Sequence, residues 1–128
     1  TAVGGVFRLT EGLLDKFGSE RVIDTPLAES AILGTSIGMA MAGLKPVCEM
    51  QFSGFSYLMI GQWEGNATRL RSRSHGQHSC PLVVRMPYGG GVRALEHHSE
   101  SREATSAHFP GVKVVLPSGP RNARGLLT

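Results

Sequence analysis

The stretch Glu29-Ser-Ala-Ile-Leu-Gly-Thr-Ser-Ile-Gly-Met-Ala-Met-Ala42, followed after Gly43-Leu-Lys by Pro46-Val-Cys-Glu-Met50, decides the fold. Its first part is small and apolar with a helical period. Its second part is a short run, nearly all apolar, as expected of a strand covered on both faces. Gly34, Gly38 and Gly43 are spaced along the helical part. An interior helix glycine costs about 1 kcal/mol, so close packing of this helix against a neighbour is the expected compensation.

Working outward, Val6 to Phe17 has helical spacing and ends at Gly18, and Arg21 to Asp24 reads as a short strand. Tyr57 to Arg73 reads as one helix with Met59, Trp63, Ala67 and Leu70 on a face, weakened by Gly61 and Gly65. Pro81 to Met86 is a second apolar strand, and Pro87 to Glu96 a glycine-rich loop. A short helix over Glu100 to His108, a strand over Val112 to Leu116 and a last helix opened by Pro120 complete the pattern. Alternating strands and helices with apolar central strands predict an α/β fold, a three-layer α/β/α arrangement with a mostly parallel sheet. Ligands in such folds bind beyond the carboxyl ends of the strands. That rule selects four loops: Thr25 to Glu29, Gln51 to Phe55, Pro87 to Ser99 and Pro117 to Pro120.

Composition narrows the class. With 128 residues, 41% hydrophobic and 18% charged, the chain is long enough for one domain with a core and is not a disordered segment. Thirteen basic against ten acidic residues, without an aromatic-interleaved basic stripe, give no reason to expect nucleic acid. No run of eighteen apolar residues predicts a membrane span, and Thr1 to Val6 has no signal-peptide character. Cys48 and Cys80 sit in apolar runs and read as buried, reduced thiols. Both ends read as cut, so residues 1–128 are expected to be one domain of a longer protein.

Three segments can carry chemistry. Glu29 is the single carboxylate where a strand, a short loop and an apolar helix meet. It reads either as a helix-start acid favoured by the dipole or as a functional carboxyl that Leu27, Ala31 and Ile32 desolvate, so that it holds its proton more tightly. Gln51-Phe-Ser-Gly-Phe-Ser-Tyr57 offers two rings around a glycine: core packing, or a platform for a flat ligand that Gly54 lets approach closely. Pro87-Tyr-Gly-Gly-Gly-Val-Arg93 with His97-His98 is an ordinary surface loop or a mobile gate carrying a histidine. Its glycines lack the Gly-Lys-Ser/Thr of a phosphate loop. His75, His78 and Cys80 match no standard zinc spacing and lack a nearby fourth ligand, so no metal site is expected. The run Arg69-Leu-Arg-Ser-Arg73 reads as a solvated helix face or a subunit contact.

Taken together, six segments resemble one family. They are Gly-Gly-Val-Phe-Arg-Leu-Thr-Glu-Gly-Leu (4–13), Asp-Thr-Pro-Leu-Ala-Glu (24–29), Gly-Met-Ala-Met-Ala-Gly-Leu-Lys-Pro-Val-Cys-Glu (38–49), Pro-Tyr-Gly-Gly-Gly-Val-Arg (87–93), His-Ser-Glu-Ser (98–101) and His-Phe-Pro-Gly-Val-Lys-Val-Val (108–115). The family is the beta subunit of the thiamine-diphosphate-dependent decarboxylating component of 2-oxo acid dehydrogenase complexes, pyruvate and branched-chain. The resemblance runs along essentially the whole chain. It implies a transketolase-like pyrimidine-binding domain, lacking the C-terminal part of the beta subunit. The cofactor would be thiamine diphosphate, shared with an alpha subunit that holds the diphosphate and magnesium. A structural potassium would lie past Thr128.

Residue by residue, the resemblance places Glu29 on the glutamate that contacts N1′ of the aminopyrimidine, Phe55 on the aromatic packed against that ring, and Leu27 on a lining position. A proton shared between Glu29 and N1′ favours the imino tautomer, whose nitrogen can take the proton from C2 of the thiazolium. His98 matches the histidine at the site's mouth that assists acyl transfer to a lipoyl arm. The implied partners are the alpha subunit, a second beta subunit in an alpha2-beta2 assembly, the lipoyl domain of the acyltransferase and a 2-oxo acid. The implied compartment is the bacterial cytoplasm or the mitochondrial matrix. A fused thiamine-diphosphate enzyme and a non-catalytic module of the same fold remain as alternatives. The chain departs from the family at Glu100 (usually glutamine), Arg102 (usually proline), Gly61 and Gly65 (usually aspartate and asparagine) and His75 (usually glycine).

Overall fold

The computed structural model describes residues 3–128. Thr1 and Ala2, the start of the expected domain, lie outside the described residues. The deciding stretch folds as expected. Helix α1 is Leu13–Phe17, and helix α2 spans Glu29–Met41 with Glu29, Leu33, Ser36, Ile37 and Ala40 buried along one face. Helix α2 stops in a Schellman motif: Leu44 N–H donates to Met39 O and Gly43 N–H to Ala40 O. Gly43 takes φ +92°, which an L side chain resists. Strand β1 (Val47–Glu49) then pairs in parallel with β2 (Val83–Arg85), Cys48 lying opposite Val84 and Glu49 opposite Arg85. A Glu49–Arg85 ion pair crosses the two strands.

The core is the seam between α2, this strand pair and the segment after β1: Leu33, Ile37, Cys48, Met50, Met59 and Trp63. The long helix expected over Tyr57 to Arg73 is instead four pieces. A 3₁₀ turn over Ser53–Met59 leads into α3 (Ile60–Gln62), a π turn over Trp63–Ala67 and α4 (Leu70–Arg73). The reason lies in the spacing of Met59, Trp63 and Ala67. Four-residue steps drift by about 40° each around a 3.6-residue helix. A widened π turn, marked by Thr68 N–H donating to Trp63 O, removes that drift and keeps the side chains on the core. The arginine run braces this turn: Arg69 Nε donates to Glu64 O at 2.9 Å and Arg73 Nη2 to Gly65 O at 2.6 Å.

The α/β class holds, with a smaller sheet than expected. Residues 21–24 and 112–116 are in no ladder, so the described residues form a two-stranded parallel sheet. Val112 still packs its side chain against the core. The expected first helix is shorter, because residues 6–12 form turns; α5 (Glu103–Ala107) and α6 (Pro120–Leu127) form where expected. The compensation expected for the α2 glycines holds at one position. A Cβ at Gly34 would make ordinary contact with Gln62 at 3.6 Å, whereas Gly38 faces open space.

Candidate functional site

Two groups of side chains gather at the carboxyl ends of the strands. The first is a groove of about 650 Å³ lined by residues 27–31, Gly34, Thr35, Leu58 and Gln62. Glu29 is the first residue of α2, preceded by Ala28, which offers no side-chain cap. It is only 5% exposed, yet it belongs to the groove wall. A carboxyl in that position is covered by protein while one edge meets whatever enters. Leu27, 76% exposed, stands at the lip, and the Leu58 side chain supplies a second apolar wall. Gln62, whose Oε1 accepts from Asn66 Nδ2 at 2.7 Å, brings an amide to the opposite wall.

The second group is a ring cluster. Beyond β1 and β2 the two chain segments stay together: Met50 N–H donates to Arg85 O and Ser53 N–H to Pro87 O. This carries the 3₁₀ turn of Ser53–Met59 alongside the glycine-rich loop. The loop is folded back on itself. Gly89 N–H and Ser53 Oγ–H both donate to Glu100 O, and Ser99 Oγ–H donates to Ala94 O. Gly54 does allow a close approach, but of backbone: a Cβ there would overlap the Cα, C and O of His97. Phe55 stacks on His97 (5.6 Å, 15° between planes), so one face of the expected platform is already covered. His98 meets Phe55 edge-on at 5.3 Å and Phe52 at 4.8 Å, with its Nδ1 3.3 Å from Glu96 O.

The structure thus brings Glu29 together with Leu27, and Phe55 together with His98. The 3₁₀ turn joins the two groups, since it holds both Phe55 and Leu58. Phe55 does not line the Glu29 groove, and the loop Pro117 to Pro120 lines neither group. Sequence reasoning missed Leu58 and Gln62, and it named Tyr57 and His97 only as members of candidate segments, without their contact with each other. Leu58 and Gln62, one helical turn apart just after the aromatic segment, were the available signal for a shared face.

Burial separates the two cysteines from this chemistry. Burial pushes the Cys48 thiol up, and burial also raises Cys80. A thiol held protonated is a poor nucleophile. Among the described residues no three His, Cys, Asp or Glu side chains gather as a metal site, and no helix is long and apolar enough to cross a membrane.

Comparison with known proteins gives the family of the chain. The chain is 55% identical over 124 residues to a pyruvate dehydrogenase E1 component subunit beta of Acholeplasma laidlawii, covering 97% of this chain and 38% of that protein. It is 54% identical over 124 residues to the 2-oxoisovalerate dehydrogenase subunit beta of Bacillus subtilis (strain 168), with the same coverage. The pyruvate dehydrogenase E1 component subunit beta of Mycoplasma pneumoniae (strain ATCC 29342 / M129 / Subtype 1) is 53% identical over 123 residues, 96% of this chain and 38% of that protein. The chain therefore spans well under half the length of these relatives. The family described as transketolase, pyrimidine binding domain matches residues 1–128 throughout. A parallel strand pair with helices, loops meeting at its carboxyl edge and that end-to-end match place this chain in the transketolase pyrimidine-binding domain family.

Proposed function

We propose that this chain is the pyrimidine-binding half of a thiamine-diphosphate site in a 2-oxo acid dehydrogenase beta subunit, working with an alpha subunit in an alpha2-beta2 assembly. The observation that carries the reading is Glu29: a carboxyl covered on nearly all sides that still lines an open groove at the start of α2. The groove suits an aminopyrimidine. It offers apolar walls at Leu27 and Leu58 for the ring faces and edges, a carboxyl for a ring nitrogen, and the Gln62 amide and Thr35 hydroxyl at the margin. The cofactor, when bound, supplies the electron sink that lets CO₂ leave a 2-oxo acid.

The chain's own work is narrower. Glu29 shares a proton with N1′ and so biases the pyrimidine's tautomer. Leu27 and Leu58 keep water from that hydrogen bond. Phe55 borders the cofactor from the 3₁₀ turn. His98 faces the entrance and moves protons as the acyl group passes to a lipoyl arm. The diphosphate and its magnesium belong to the alpha partner in this reading, and a potassium ion to the later part of the chain. With bacterial relatives of both substrate types at 55% and 54% identity, the substrate class is 2-oxo acids and the compartment the bacterial cytoplasm.

The test is Glu29→Gln in the full-length chain, assembled with its alpha subunit. Decarboxylation, followed with an artificial electron acceptor, should fall by about 10²–10⁴, the range for losing a positioned proton-transfer group. Undiminished decarboxylation overturns the assignment. Initial rates with pyruvate against branched-chain 2-oxo acids then choose the substrate.

A further inference from the structure

The functional reading uses His98 but leaves Arg102 without a role, and Arg102 stands where the resembled family usually has proline. Its guanidinium carbon lies 3.2 Å from the centroid of the Tyr57 ring. Its Nε is buried with no hydrogen-bond partner, and no carboxylate pairs with it among the described residues. The ring face is thus the interaction this cation has. Tyr57 in turn meets His97 edge-on at 6.1 Å, His97 stacks on Phe55, and Phe55 meets the edge of His98. The same loop is held from the other side, where the His97 amide donates to Glu100 Oε1 at 3.3 Å. His97 itself sits at φ +69°, a conformation that a non-glycine residue keeps only when its surroundings hold it there.

We propose that Arg102 is a positioning residue: by clamping Tyr57 it fixes His97 and, through the ring stack, the orientation of His98. This rests on the reading of His98 as the histidine that serves acyl transfer. Neither Arg102 nor Tyr57 lines the Glu29 groove, so loss of the clamp affects transfer and spares decarboxylation.

The test uses Arg102→Met, which keeps the length of the side chain without the charge, and Arg102→Lys, which restores a cation. Both are made in the full-length chain assembled with its alpha subunit. Two rates are measured: decarboxylation with an artificial acceptor, and acyl transfer to an isolated lipoyl domain. Hydrogen–deuterium exchange of residues 94–100 is followed beside that of α2. Arg102→Met should slow acyl transfer about tenfold, the worth of one partly desolvated cation–π contact, with decarboxylation held within about twofold. Exchange over 94–100 should rise about threefold or more with α2 unchanged, since local opening is independent of global stability. Arg102→Lys should recover most of both. Equal loss of the two rates, or unchanged exchange over 94–100, overturns the clamp. If the wild-type assembly shows no thiamine-diphosphate-dependent activity, the functional reading falls, and the exchange measurement alone decides the clamp.

Discussion

The Glu29 groove and the ring cluster sit on one 3₁₀ turn but are built differently. The groove is largely the work of one helix start: residues 27–31, Gly34 and Thr35 come from a single short stretch and need only Leu58 and Gln62 from elsewhere. The ring cluster is made chiefly by two segments far apart in sequence, joined by a hydrogen bond between residues 47 positions apart and by a glycine pressed against backbone, with Phe7 meeting Phe52 from a third. A site made by one helix is robust in shape and sensitive in chemistry. A site made by two crossing segments is sensitive in shape.

The largest expected effect separates them on the chemical side. Glu29→Gln should remove decarboxylation by the factor given above while the melting temperature moves by only a few degrees, because the amide fills the same volume as the buried carboxyl. Differential scanning calorimetry of the variant beside its activity checks this. A large fall in melting temperature would mean that Glu29 is structural, and the comparison would break.

Gly54→Ala should act the opposite way. Its Cβ meets His97 backbone, which cannot swing aside as a side chain can. The expected cost is about 3 kcal/mol, the upper part of the range for overpacking, read by chemical denaturation. Hydrogen exchange should place the damage in residues 94–100 and leave α2 protected. Gly34→Ala, which makes ordinary contact with Gln62, serves as the mild control in the groove.

A third measurement looks beneath the groove. Cys48 lies in the core next to α2, where burial raises its pKa and its thiol donates to Val83 O at 3.4 Å. A raised pKa leaves less thiolate at any pH below it, so alkylation at pH 8 should modify half-buried Cys80 first and Cys48 about tenfold or more slowly. Mass spectrometry of the labelled chain gives the order. Faster labelling of Cys48 would mean that the groove's floor opens readily.

The smallest effect tests the link between the two groups. Gly61 stands just after the 3₁₀ turn, and a Cβ there meets nothing within 4 Å. Gly61→Ala should stabilise the chain by about 0.5–1 kcal/mol through the unfolded state, with neither acyl transfer nor decarboxylation changed.

How much of this was legible follows from the same contrast. Helix α2, both strands and the position of Glu29 follow from local apolar runs, and local pattern is what a sequence displays directly. The expected strands at 21–24 and 112–116 have strand-like residues such as Val22, Ile23, Val114 and Val115. A strand, however, is defined by a ladder partner, and their own composition carries no information about one. The broken helix after Phe55 was half legible: the glycines marked weakness, while the π turn came from the need to keep Trp63 and Ala67 on the core. In the ring cluster, Phe55 and His98 were picked out one by one. The stacking of His97 on Phe55 was not, because the segments meet only after β1 and β2 have paired. Gly54 looked like room for a ligand and proved to be room for the chain itself.

That last feature sets an order of assembly. A nascent chain that has emerged only as far as Gln62 already possesses every residue lining the Glu29 groove. The His97 backbone that meets Gly54, the Glu100 carbonyl that accepts from the Ser53 hydroxyl and the His97 ring that stacks on Phe55 arrive only once His97 to Glu100 leave the ribosome. Until then Phe55 lacks the His97 ring and β1 is unpaired, the kind of surface that chaperones hold and that aggregates when synthesis stalls.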